Sequence, residues 1–255
     1  MALRRALVGP KTQQRPGRRP VSAGLATRLW LFDLDNTLHD TSHAIFPEID
    51  RSMTAAVREA LDVDDAEADR LRRLYWLRYG ATAIGMVRHH GVDLAAFLAR
   101  CHDFDTASLV RAETGLAGKL RRLPGRKVLL TNAPLVYARA VLTHLGILRQ
   151  FSSIWSIEHM RWHGQHRPKP APALLRYVLA HEGVHAHRAT LVEDTLVNLR
   201  SARQVGLRTV FVHHPGTPQG PAGHGRPSYV DLRVNSVSDL LLSRRPLRGR
   251  HPTEG

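Results

Sequence analysis

The sequence predicts an α/β fold, a Rossmann-like parallel sheet with helices on both faces and a helical segment inserted after the first strand. Three observations predict it. From residue 126 onward, short and nearly continuous apolar runs alternate with helical stretches, the pattern of strands covered on both faces. A region of about eighty residues, 45–125, holds several helical stretches and no convincing strand. Three of the apolar runs end in polar residues, at the strand ends where open parallel sheets bind ligands.

The first strand is the run Trp30, Leu31, Phe32, and the turn residues Asn36 and Thr37 follow it. Asp33 and Asp35 stand where that strand runs out. Two carboxylates there repel each other and lose hydration, which calls for a cation or a shared proton. The same residues also serve as a plain strand-ending turn.

In the stretch FPEIDRSMTAAVREALDV, Ile49, Met53, Val57 and Leu61 recur every four residues and make one helical face. The next helix, DDAEADRLRRLYWLRYG, opens on acids suited to a helix N-terminus and stops at Gly80. DLAAFLARC and TASLVRAETGLAGKLRRL continue the helical pattern to the turn at Pro124-Gly125. The only cysteine, Cys101, reads as a packed helix residue rather than a nucleophile.

Beyond that turn the strands are KVLLTN, FSSIWSI, ATLVED and RTVFVHH, separated by helices over LVYARAVLTHLGI, PALLRYVLAHEG and LVNLRSARQVG. Thr131 and Asn132 end one strand, and Glu193 and Asp194 end another. The expected organisation is a sheet domain of residues 28–44 and 126–242, a helical cap of 45–125, and basic tails at 1–27 and 243–255.

The net charge of +15 points to nucleic acid until it is located. Residues 1–29 hold seven basic residues and no acid, and four arginines oppose Glu254 from Arg244 onward, so +7 and +3 of the excess lie near the ends. These Pro/Gly/Arg-rich ends read as disordered tails that bind polyanions weakly, and no specific nucleic-acid motif appears. No apolar run reaches the length of a membrane span, and no secretory signal core is present. A single cysteine allows no internal disulfide, which is compatible with the expected cytoplasmic location.

DLDNT, LLTN, the Lys169 segment RPKP, and VEDTLVNLRSARQVGLRTV occur in an order that resembles the haloacid dehalogenase superfamily, mostly phosphohydrolases. The resemblance implies a nucleophilic Asp33, with Asp35 as acid and base. Thr131 and the amide of Asn132 would hold the phosphoryl group, and Lys169 would offset charge. It implies Mg²⁺ held by Asp33, the Asp35 carbonyl and Asp194, with Glu193 in contact with the ion or just behind it. A dehalogenase would need neither the second aspartate nor the metal.

LFDLDNTL, YWLRYGATAIGMVRHHGVD, FLARCHDFD and LPGRKVLLTNAP resemble the pyrimidine 5′-nucleotidase group. That likeness implies a nucleoside 5′-monophosphate substrate, UMP or CMP, read by Tyr79, Gly80, Ala81 and Thr82, with Tyr75 and Arg78 as further contacts. Trp76 is expected to pack the cap. The alternative is a phosphatase for another small ester, a sugar phosphate or phosphoglycolate. His39 stands where the group often has tyrosine, and Thr195 where relatives often have serine. His181, His185 and His187 lack a clear third ligand for zinc and are expected on the surface.

Overall fold

The computed structural model describes residues 29–40, 44–111, 113–213 and 226–242; both basic tails lie outside them. Six parallel strands form one sheet. They are β1 (Leu29–Phe32), β2 (Arg126–Leu130), β3 (Ser153–Trp155), β6 (Ala189–Glu193), β7 (Arg208–Val212) and β8 (Leu232–Val234), in the order β3-β2-β1-β6-β7-β8. A separate hairpin pairs β4 (Arg161–Trp162) with β5 (Gln165–His166). Neither the hairpin nor β8 was expected, because RW, QH and LRV, unlike the stretch around β3, do not sit in apolar runs.

β1 is central and buried on both faces, which is why its four residues are all apolar. Successive side chains alternate across the sheet. Leu29 and Leu31 meet Leu174, Leu175 and Val178 of α8 (Pro172–Glu182), together with Leu199 and Ala202 of α9 (Leu196–Val205). Trp30 and Phe32 face the other layer, which holds Val141 and Leu142 of α7 (Leu135–His144) and Val237 and Leu240 of α10 (Val237–Leu242).

Among the described residues, six helices run between β1 and β2: α1 (Ile45–Leu61), α2 (Asp65–Tyr79), α3 (Thr82–His90), α4 (Leu94–Cys101), α5 (Thr106–Leu109) and α6 (Leu116–Arg122). Asp64 caps α2 by accepting the Glu67 N–H at 2.8 Å, and Gly80 ends it in a left-handed conformation at φ 78°. The first four helices share a core built from Val57, Leu71, Tyr75, Ile84, Met86, Phe97 and Cys101. Ile157, which follows β3, joins that core and ties the helices to the sheet. By contrast, Leu116 and Leu120 of α6 pack with Trp30 and Phe32 against the sheet itself.

Burial pushes the Cys101 thiol up to about 12, so it stays protonated as a packing residue. Trp76 does not pack into the cap as expected: the residue is 46% exposed. His181, His185 and His187 are exposed. No helix among the described residues is long and apolar enough to cross a membrane.

Candidate active site

Parallel pairing in register sets the ends of β1 and β6 side by side, Phe32 opposite Val192, and the Asp33 N–H extends the ladder by donating to the Val192 carbonyl at 3.0 Å. Glu193 is the last residue of β6, and Asp194 follows it. One carboxylate oxygen each from Asp33, Glu193 and Asp194 lie within 4.8 Å of one another, and all three residues are buried. This is the only such group of potential metal ligands among the described residues.

Lys169 enters from the loop ahead of α8. Its buried ammonium donates to Asp33 Oδ1 at 2.6 Å and to Glu193 Oε2 at 2.7 Å. Burial alone would depress that ammonium, but the two carboxylates outweigh it and hold Lys169 above the usual lysine range. Asp33 is raised well above the ordinary carboxylate value by burial and then by the Glu193 charge, with Lys169 opposing. Asp194 is raised by burial, then by Glu193 and Asp33.

Three buried carboxylates share one ammonium, so with all three ionised the group holds more negative charge than Lys169 offsets. Hard oxygen donors with that imbalance fit a divalent cation such as Mg²⁺. Thr195 supports the acidic pair: its Oγ1 donates to Asp194 Oδ1 at 3.3 Å, and its N–H donates to Glu193 Oε1 at 3.2 Å.

Thr131 follows β2 and is buried, with Oγ1 accepting the Ala133 N–H at 3.0 Å. The Asn132 side chain has a structural task beyond the one read in the sequence. Its amide Nδ2 donates to the carbonyls of Gly80 and Lys169, both at 3.0 Å, and its Oδ1 accepts the Lys169 N–H at 3.0 Å. The side chain therefore clamps the Lys169 loop to the end of α2 and leaves only its main-chain N–H for other work.

Asp35 is held by donors that sequence reasoning missed. The Tyr137 hydroxyl on α7 donates to Asp35 Oδ1 at 2.7 Å, and His39 Nε2 lies 3.1 Å from the same oxygen. Burial raises Tyr137 well above the usual phenol range, with the Asp35 charge adding to the effect, so the phenol keeps its proton. The four-residue spacing of Asp35 and His39 was a readable signal, whereas nothing in the helix LVYARAVL distinguishes Tyr137 from a core aromatic.

The stretch 79–82 spreads over several environments. Gly80 packs so closely that a Cβ there would lie 2.0 Å from the Lys169 carbonyl oxygen. Thr82 is buried and its hydroxyl donates to the Arg72 carbonyl at 2.9 Å, inside the helical insertion. Ala81 and Tyr79 pack partly against the insertion core. The Tyr79 hydroxyl pairs with His89, and the Arg88 and Arg78 guanidinium groups lie 5.0 and 5.5 Å from its ring centroid. Tyr75 is buried against Gly85, with its hydroxyl on His90.

The chain is 25% identical over 240 residues to a phosphoglycolate phosphatase of Pseudomonas savastanoi pv. phaseolicola, covering 88% of this chain and 81% of that protein. In fold it resembles the HAD phosphatase of Thermococcus onnurineus, with a TM-score of 0.55, 19% identity, and coverage of 84% of this chain and 95% of that one. It also resembles CbbY from Rhodobacter sphaeroides in complex with phosphate, with a TM-score of 0.56, 22% identity, and coverage of 84% and 96%. Residues 27–206 match the haloacid dehalogenase-like hydrolases, and the chain belongs to that family.

Proposed function

We propose that this protein is a Mg²⁺-dependent phosphatase that hydrolyses small phosphate monoesters through an aspartyl-phosphate on Asp33. The observation that carries the reading is the buried trio Asp33, Glu193 and Asp194 with Lys169 inserted among them at the carboxyl end of the sheet. Asp33, the Asp35 carbonyl and Asp194, with Glu193 alongside, are the residues that would hold Mg²⁺. When bound, the ion supplies positive charge against the phosphoryl oxygens.

The Asp33 carboxylate attacks phosphorus as the bond from phosphorus to the ester oxygen breaks. Asp35 gives that departing oxygen its proton, so an alcohol leaves. Water then attacks the acyl phosphate and passes its proton to Asp35, which frees inorganic phosphate and restores both aspartates. The Thr131 oxygen already accepts the Ala133 N–H, which leaves its hydroxyl proton to bind a phosphoryl oxygen beside the Asn132 N–H. Lys169 neutralises charge around the nucleophile rather than moving protons.

Helices α1 to α4, within the segment 45–125, form the cap over a site carried by 28–44 and 126–242. Its likeness to the pyrimidine 5′-nucleotidase group supports a nucleoside 5′-monophosphate, UMP or CMP. The named phosphoglycolate phosphatase relative favours a second reading, a small carboxylated phosphate ester. A phosphate-release screen with Mg²⁺ over UMP, CMP, AMP, phosphoglycolate and a sugar phosphate separates the two. Silence from every monoester would overturn the phosphatase reading itself.

A further inference from the structure

We infer that Tyr137 and His39 are positioning residues that pin one carboxylate oxygen of Asp35 and dedicate the other to proton transfer. The inference rests on the assignment of Asp35 as acid and base. Both donors converge on Oδ1, the Tyr137 hydroxyl at 2.7 Å and His39 Nε2 at 3.1 Å, and Oδ2 accepts no hydrogen bond among the described residues. The donors are sealed from solvent, Tyr137 at 2% exposure and His39 at 0%. The Asp35 side chain they hold is 20% exposed, so the acid is reached from outside while its two donors are not.

A free carboxyl group rotates about its Cβ–Cγ bond and offers either oxygen. Here a carboxylate can only accept, so the His39 ring presents its proton on Nε2. With two donors occupying Oδ1, the proton that Asp35 carries as an acid belongs on Oδ2. The carboxyl plane is thereby set before substrate arrives, which lowers the orientational cost of reaching the transition state.

Tyr137 is itself braced. Its ring packs against those of His102 and Phe104, from the loop after α4, with centroids 5.2 and 6.3 Å away. Two residues earlier, the Leu135 N–H at the start of α7 is taken by the Glu158 carboxylate at 3.0 Å. The phenol thus links the helical insertion to the acid without touching the reacting atoms.

Leaving-group dependence tests the inference. An alkyl oxygen departs only with a proton, whereas 2,4-dinitrophenolate departs without one. Because kcat/KM reports steps up to the first irreversible one, it isolates the proton donation. Tyr137→Phe is expected to lower kcat/KM about 30- to 100-fold for whichever of UMP or phosphoglycolate is turned over, and less than about fivefold for 2,4-dinitrophenyl phosphate. Equal losses for the two esters, or no loss, would overturn the positioning role.

His39→Phe carries the same comparison if Tyr137→Phe does not fold, and His39→Gln, which keeps a donor, should recover part of the loss. Asp35→Asn separates the acid role of Asp35 from the positioning role of its two donors. Full alkyl-ester turnover in that variant removes the assignment of Asp35 as acid. An inactive Asp35→Asn beside a uniform effect of Tyr137→Phe removes only the positioning role.

Discussion

Lys169 shows how one side chain makes a crowded anionic site possible. With its ammonium within 2.7 Å of both Asp33 and Glu193, it opposes the burial and the carboxylate repulsion that raise Asp33. Lys169→Met leaves those charges buried without a partner and is expected to destabilise the metal-free protein by about 3–5 kcal/mol. A denaturant titration in chelator checks this, and wild-type stability would show that the ammonium is not what offsets the pair. Asp33→Asn relieves the repulsion but removes the nucleophile. It should fold, with an unchanged or raised melting temperature, and show no steady-state turnover or phosphoenzyme. Phosphate release at the wild-type rate would exclude Asp33 as the attacking group. Asp33, Asp35 and the acidic pair 193–194 were legible because they lie at the ends of apolar runs. Tyr137 was not, since its meeting with Asp35 spans 102 residues and depends on how α7 is rotated against β1.

Between elements, the decisive joint is the end of α2 against the Lys169 loop. Gly80 needs no side chain there for two reasons: its φ is 78°, and a Cβ would meet the Lys169 carbonyl oxygen at 2.0 Å. Asn132 completes the joint by bonding the main chain on both sides. Gly80→Ala should therefore cost about 2–4 kcal/mol from left-handed strain and overpacking together. It should also lower kcat by displacing the chain that carries the lysine. A wild-type melting curve would show that the approach is not held in solution. Thr82 answers differently. Its hydroxyl is already spent on the Arg72 carbonyl, so Thr82→Val should cost about 1 kcal/mol. The ratio of kcat/KM between UMP and phosphoglycolate should stay the same. A shift in that ratio would return Thr82 to the substrate contacts that the resemblance implies.

For the molecule as a whole, metal and pH are linked through the same carboxylates. In chelator, Asp33 and Asp194 titrate above their ordinary value of 3.8, so the folded state binds protons that the unfolded chain has released. Their contribution is fully present below that value and is lost as pH rises through the raised folded values. Mg²⁺ competes for the deprotonated groups, so its stabilisation runs the other way with pH. The expected outcome is a rise in melting temperature on adding Mg²⁺ that is larger at pH 7.5 than at pH 5, together with activity that disappears in chelator and returns with the ion. A shift independent of pH, or full turnover after exhaustive metal removal, would exclude these carboxylates as the ligands.

By itself the sequence determined the parallel α/β sheet, the helical insertion after β1, and the strand ends that carry acids. Each is a local property, readable from apolar runs, helical spacing and the residue that follows the last buried position. Only the tertiary structure decided that α6 packs on the sheet while α1 to α4 keep a core of their own. It also decided that Asn132 clamps two backbone segments and that two buried donors share one oxygen of Asp35. The physical reason is range: periodicity encodes which face of a helix is apolar. Which atom meets a partner many residues away is set by the angle at which packed layers come to rest.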